Sequence, residues 1–470
     1  MIIDIMLYQL YGRGGLETVL LHVSRGLKAR GHRVRFMFHD PPIIEKWMEE
    51  LDEVHICSTY SGEKHEQDHR DIFSIRYRNA IEQLGFPDII LATFRPIFGY
   101  MARAAFVDMP KEQHPPIISW IHGPPEAYSA PASHFIDADA HIAISYPVGQ
   151  KIRALQPTSP IFFVGNPIIS LPPSQAQLVQ RPAYLKIAYV GQIDTAVKGI
   201  PVLLEACRQL KGDWELELYG EGYERITFMQ WCADNGIADR VHWKGWQNQV
   251  WSQIKEASVL VLPSNSEGFG MVLTEALQRG IPVVASDTDG AKEVVVPGAN
   301  GWMFERGSIE SLRSVLQGII DGEQQLPSKE QCHRSVQIYD VERVLDHFER
   351  VFDIMLLYKQ LTADQASAHA QASAATVDKS TAAVAAEQEQ LIKELLERMK
   401  QQKPEDLLKA AEQLYLLYPH SLYLASLLGQ LHAQLKDSNK AHFYWKQVLI
   451  STHDPVLRQV ASRYVERLRG

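Results

Sequence analysis

The chain has 470 residues, of which 46% are hydrophobic and 22% charged; this length predicts about two to four domains with a sizeable core, and the composition excludes wholesale disorder, collagen and a disulfide scaffold. Lys and Arg number 47 against 56 Asp and Glu, a net charge of -9, so a broad phosphate-neutralising face for nucleic acid is not expected. Cys57, Cys207, Cys232 and Cys332 stand far apart with no C-x-x-C pair, which argues against a zinc or redox motif and fits a reducing compartment.

The segment Met1-Ile2-Ile3-Asp4-Ile5 has an early acid and no basic region, so a signal peptide is not expected. No apolar run approaches the roughly 18–20 residues of a membrane span. The expected setting is cytoplasmic, with a peripheral contact at the inner membrane face left open. Strands are predicted at Ile2 to Leu7, Val34 to Phe38, Ile89 to Ala92, Ile117 to Ile121 and His141 to Ile144. Between the first two, Leu16, Val19, Leu20, Val23 and Leu27 have helical spacing, and the helix stops at Gly31. Short apolar strands alternating with helices predict a parallel sheet covered on both faces.

A second block of the same kind begins near Leu185, with strands predicted at Lys186 to Val190, Glu215 to Tyr219, Val241 to Trp243, Val259 to Leu262 and Pro282 to Ala285. Pro167, Pro172 and Pro173 mark a hinge between the blocks. The expected fold class is α/β, two doubly wound Rossmann-like domains facing a cleft, followed by an all-α helical-hairpin domain. The expected boundaries are 1–168, 169–360 (its last helix free to cross back to the first domain), an Ala/Ser-rich linker or solvated helix at 361–390, and a tetratricopeptide-like array at 391–470. The last segment carries 12 Lys and Arg against 8 Asp and Glu. That excess reads as a solvated helix surface, with an anionic membrane or acidic partner as the alternative.

The chemistry concentrates in Ser264-Asn265-Ser266-Glu267-Gly268-Phe269-Gly270-Met271-Val272-Leu273-Thr274-Glu275-Ala276. Glycines between a strand and a helix let the backbone approach a ligand, and the first amides of the helix suit phosphate. Glu267 at the helix mouth and Glu275 eight positions later are acceptors for sugar hydroxyls; an N-cap and a solvated glutamate are the structural alternatives.

This stretch, with Gly280-Ile281-Pro282-Val283-Val284-Ala285-Ser286 after it, resembles the E-x7-E signature of retaining GT-B-fold glycosyltransferases of family 4 over residues 1 to about 355. The resemblance implies transfer of a hexose from a nucleotide diphosphate sugar, UDP-linked by expectation, to a cell-envelope glycan or glycolipid. Neither a metal nor a cofactor is expected. It implies that Glu267 contacts the donor sugar, Glu275 the ribose, and the backbone of Gly270, Met271, Val272 and Leu273 the distal phosphate. Lys198, in Val197-Lys198-Gly199, matches the lysine that neutralises the diphosphate. The family's Gly-Arg is here Gly191-Gln192, which removes a charged, planar donor fork. Gly14 and Gly15, in Gly12-Arg13-Gly14-Gly15-Leu16-Glu17, match the loop that closes over the diphosphate, and Arg13 is a candidate replacement for the missing arginine. His122, in Ser119-Trp120-Ile121-His122, matches a histidine near the transferred sugar. Asn166-Pro167 matches the interdomain crossover. The base is expected near Gly220 to Gly222 and Gly245 to Val250. Several segments resemble lipopolysaccharide-core hexosyltransferases in particular. Two rival readings stand beside this one: a sugar-nucleotide epimerase of the same fold, and a non-catalytic interaction protein working through its helical tail.

Overall fold

Apolar runs too short for helices become the strands of two all-parallel sheets. The computed structural model describes residues 1–10, 14–57, 66–128, 132–156, 159–169, 179–372, 407, 408, 411, 412, 415, 421–452 and 454–469. The first sheet contains β1 (Ile2–Leu7), β2 (Arg33–Phe38), β3 (Val54–Ile56), β4 (Ile89–Thr93), β5 (Ile117–Trp120), β6 (Ala140–Ala143) and β7 (Ile161–Phe163), in the order β3-β2-β1-β4-β5-β6-β7. The second contains β8 (Leu185–Val190), β9 (Trp214–Tyr219), β10 (Val241–Trp243), β11 (Val259–Leu262), β12 (Val283–Ser286) and β13 (Gly301–Phe304), in the order β10-β9-β8-β11-β12-β13. Each order reverses direction once, between β1 and β4 and between β8 and β11. Such switch points leave a crevice at the carboxyl ends of the strands.

All ten predicted strands form within one residue of their expected ends, because strands buried on both faces read as continuous apolar runs. The three not predicted, β3, β7 and β13, are only three or four residues long and lie at sheet edges. The chain divides into a unit of Met1–Gly165 with Val341–Leu468 and a unit of Asn166–Asp340. The helix Val341–Ala372 belongs to the first unit, where Leu345 packs on Gly26 so closely that a Cβ there would lie 2.2 Å from it. Arg30 joins that helix through ion pairs to Glu342 at 2.7 Å, Asp346 at 2.9 Å and Glu349 at 2.5 Å.

The first sheet also buries a charge. Asp4 on β1 accepts Arg35 Nε at 2.5 Å and an Arg35 terminal nitrogen at 2.9 Å, and Tyr77 donates its hydroxyl to Asp4 at 2.7 Å. Arg35 further donates to the carbonyls of Leu84 and Gly85. Both charged side chains are wholly buried.

In the segment expected as a helical domain at 391–470, the described helices are Leu422–Gln434, Ser438–Ser451 and Pro455–Arg469, and up to Leu468 they cluster with the first unit. The segment expected at 361–390 as a linker or solvated helix continues the helix Val341–Ala372 to residue 372, and the rest of it lies outside the described residues. The helix Ser438–Ser451 covers the β7 edge. Gln447 Oε1 accepts the Phe163 amide at 3.1 Å, and Gln447 Nε2 donates to the Phe163 carbonyl at 3.4 Å, so one side-chain amide takes the place of a neighbouring strand. Ile450 fits against Gly149, Arg153 donates to Ser451 Oγ at 3.0 Å, and Trp445 is fully buried. The helix has spent its inner face within its own unit. Deleting 421–470 is therefore expected to expose an unpaired edge and an apolar groove, seen as loss of soluble monomer in size-exclusion chromatography; an equally soluble, equally stable truncation would contradict this.

Candidate active site

The site in the second unit is built where the loops after β8 and β11 meet, at the switch point of that sheet. After β8 the chain turns at Asp194, whose Oδ1 accepts the amides of Val197 at 2.7 Å and Lys198 at 3.0 Å. Gly199 follows at φ 62, and a Cβ on it would lie 2.3 Å from the Pro263 carbonyl oxygen, so only glycine lets the two loops touch. Asn265 ties them together: its amide donates to the Val197 carbonyl at 2.8 Å, and its Nδ2 to the carbonyls of Thr195 at 3.1 Å and Ala196 at 3.0 Å. The result is that the Lys198 ammonium pairs with Glu267 Oε1, to which Ser264 Oγ also donates at 2.9 Å. The Glu267 side chain is 14% exposed and that of Lys198 is 23% exposed, so the pair is mostly shielded but still reaches solvent.

Gly270, at φ 81, then opens the helix Met271–Gln278. Its entry is fixed from behind, where Gly290 donates to the Glu267 carbonyl at 2.9 Å and leaves no room for a Cβ against the Phe269 backbone. Gly270, Met271, Val272 and Leu273 thus begin a helix shortly after Glu267, whose carboxylate pairs with the Lys198 ammonium. Glu275 lies one side deeper in that helix. Its Oε2 accepts the Trp251 indole N–H at 2.8 Å, and Oε1 has no hydrogen-bond partner among the described residues. Burial pushes the Glu275 carboxyl above its ordinary range, while the Trp251 hydrogen bond and the Arg279 charge pull it down.

Gln192 stands just past β8 and is exposed; its carbonyl accepts the Tyr189 hydroxyl at 2.6 Å. The loops after β8 and β9 run backbone to backbone: a Cβ on Gly220 would lie 1.7 Å from the Gly191 carbonyl oxygen, and one on Gly222 would lie 1.9 Å from that of Ile193. Gly220 also donates to the Gly245 carbonyl at 2.9 Å, which joins the two segments expected to frame the base.

In the first unit, Gly14 and Gly15 open the helix Gly15–Ala29 after β1, while Arg13 lies outside the described residues. His122 follows β5 with its ring 4.6 Å from that of Trp120. Both its ring nitrogens are buried without a hydrogen-bond partner among the described residues, and burial pushes its pKa down to about 3. It is therefore neutral at ordinary pH, a hydrogen-bonding group rather than an acid. His141 and His347 in the same unit are depressed in the same way, to about 3 and about 4, chiefly by burial. Below pH 6.5 the unfolded chain takes up protons that the folded unit refuses, so stability is lost as pH falls from 6.5 towards 4. Each histidine costs about 1.4 kcal/mol per pH unit in that window. Denaturant melts at falling pH are expected to weaken steeply, and His141→Gln to flatten the slope by about one proton; a pH-independent midpoint would contradict the burial account.

Asp194, Asn265 and Trp251 were not singled out from sequence. An aspartate four residues before a lysine carries a local turn signal, but Asn265 and Trp251 act across loops distant in sequence and leave none. Among the described residues no helix is long and apolar enough to cross a membrane.

Comparison with known proteins fits this geometry. The Glycosyltransferase Family 4 profile matches residues 13–169 and that of Glycosyl transferases group 1 matches residues 174–336. The chain is 30% identical over 250 residues to the lipopolysaccharide 1,6-galactosyltransferase of Escherichia coli (strain K12), covering 50% of this chain and 67% of that protein. The chain belongs to the GT-B glycosyltransferases of family 4. The transferase is also 27% identical over 329 residues to the Salmonella typhimurium lipopolysaccharide 1,6-galactosyltransferase, covering 66% of this chain and 88% of that protein. Among solved structures, the apo form of the lipopolysaccharide outer core galactosyltransferase WaaB superposes with a TM-score of 0.66 at 24% identity, over 74% of this chain and 98% of that one. Anabaena Alr3699/HepE in complex with UDP superposes with a TM-score of 0.62 at 17% identity, over 75% and 99%. The transferase thus shares the fold of both.

Proposed function

We propose that the transferase moves a hexose from a UDP-linked donor to a hydroxyl of a lipopolysaccharide-type glycan, with retention at the anomeric carbon and without a bound metal. The observation that carries this reading is the Lys198–Glu267 pair at the mouth of the helix Met271–Gln278. An arriving diphosphate would draw the Lys198 ammonium from Glu267 and meet the first helix amides, which frees Glu267 for the sugar hydroxyls. Glu275 Oε1 is the acceptor left for the ribose. The acceptor class is taken from the relatives, both lipopolysaccharide 1,6-galactosyltransferases.

In this reading the bond between the anomeric carbon and the diphosphate oxygen breaks as the acceptor oxygen attacks from the same face. The acceptor's proton passes to the departing diphosphate, so no protein base is required. Lys198 and the helix amides stabilise the charge that develops on the leaving group. Neutral His122 holds a sugar hydroxyl. The four cysteines are unpaired and buried, which supports a cytoplasmic setting, with any membrane contact peripheral.

Gln192 is the observation that favours a second, non-catalytic reading, since it supplies no charge where the family has arginine. The test is a thermal-shift and nucleotide-release screen against UDP-, GDP- and ADP-sugars with EDTA present. A UDP-hexose is expected to raise the melting temperature and slowly release UDP. Gln192→Arg is expected to speed that release by about tenfold, because the added fork meets the leaving diphosphate. No stabilisation by any nucleotide sugar would favour the non-catalytic reading.

A further inference from the structure

The switch point of the first sheet carries a cation that none of the chemistry above uses. Phe94, directly after β4, has φ 75, a conformation that a bulky side chain adopts only where its surroundings enforce it. The turn aims Arg95 back across the switch point towards β1. Its guanidinium lies 5.1 Å from the centre of the Tyr8 ring, just past β1, and 5.6 Å from that of Phe94. Among the described residues the main chain of Arg95 bonds to Thr93 and Phe98, while its guanidinium has no hydrogen bond and no ion pair. Arg30, Arg35, Arg153 and Arg279 are spent on carboxylates, carbonyls or hydroxyls; the Arg95 guanidinium is held by two aromatic faces, its N–H groups without a partner among the described residues.

We propose that Arg95 is the anchor for an anionic group, a phosphate or a carboxylate, on the acceptor glycan; this rests on the transferase reading above. The aromatic rings fix the guanidinium plane without using its donors, which pre-organises a fork for two oxygens. Arg95 belongs to the first unit, whereas the Lys198–Glu267 pair proposed for the donor diphosphate belongs to the second. Phe94 packs edge-on against Tyr128 at 6.3 Å, and Phe94 donates its amide to the Trp120 carbonyl at 3.2 Å, two residues before His122. A Cβ on Gly123 would lie 3.2 Å from the Tyr128 hydroxyl, so that ring also borders the His122 loop. An anion held on Arg95 therefore lies within a ring or two of the residue assigned to the sugar being transferred. The anion would fix which acceptor hydroxyl is presented.

The test is calorimetric titration of the full chain with glucose 6-phosphate, glucuronate and glucose, each with wild type, Arg95→Gln and Arg95→Lys, and with melting temperatures recorded to verify folding. One anionic sugar is expected to bind wild type and to bind Arg95→Gln about tenfold more weakly, with Arg95→Lys between them and glucose binding none. A preference for glucose 6-phosphate identifies phosphate as the anion, and one for glucuronate identifies carboxylate. Equal binding of both anions by wild type and Arg95→Gln, or by neither, would overturn the proposal. Binding requires no turnover, so an Arg95-dependent signal in a chain that never releases UDP would sustain the anion site while the transferase reading fails. Release of UDP with no Arg95-dependent binding would do the reverse.

Discussion

Replacing Glu267 by Gln is expected to lower turnover by about 10²–10³-fold, or roughly 3–4 kcal/mol of transition-state stabilisation, without unfolding the second unit. The substitution keeps the shape and an oxygen for Ser264 Oγ, which donates to Glu267 at 2.9 Å. It removes the charge that pairs with Lys198 and that the proposed mechanism uses to accept the donor sugar's hydroxyls. Lys198→Ala is expected to show the same loss mainly in kcat, because negative charge builds on the leaving diphosphate between the bound ground state and the transition state. Steady-state UDP release checks both. A Glu267→Gln protein with wild-type kcat and KM would remove the pair from the mechanism.

Arg35→Leu is expected to be the most destabilising single change in the first unit, at about 3–5 kcal/mol. It leaves the Asp4 carboxylate buried with only Tyr77 as a hydrogen-bond partner and the Gly85 carbonyl without its donor, while Leu84 keeps a hydrogen bond from Arg33. Removing both charges in an Asp4→Leu/Arg35→Leu protein is expected to recover part of the loss, because the penalty comes from the uncompensated charge rather than from the missing attraction. The two units need not unfold together, so the measurement is the shift in the denaturant midpoint of the first unit's transition. A cost below about 1 kcal/mol for Arg35→Leu would mean that water reaches Asp4.

The two sheets were legible because parallel strands buried on both faces leave apolar runs such as Val259–Leu262. Three of the four edge strands, β3, β7 and β13, were not. Val54-His55-Ile56 is too short and too mixed to stand out, and β7 finishes its hydrogen bonding with Gln447, nearly three hundred residues away. The same distance hid the tail: its amphipathic helices announced that they pack, but not that Ile450 seats on Gly149. At the candidate site, the residues proposed to meet a ligand lie in recognisable strings around Glu267 and Lys198. Those that hold them in place, Asp194 and Asn265, act through main-chain contacts between loops, which a linear pattern does not display. Arg95 was invisible for a related reason, since only the Phe94 turn and the Tyr8 ring give its charge a direction.

The most direct test of the central claim is transfer itself. The full chain would be incubated with UDP-galactose or UDP-glucose and a truncated lipopolysaccharide core in EDTA, with the product examined by mass spectrometry and by proton NMR of the new anomeric centre. The account predicts one added hexose with the donor's anomeric configuration, and no product from Glu267→Gln over the same interval. An inverted linkage, a strict need for added metal, or bound UDP-sugar that is never transferred would contradict it.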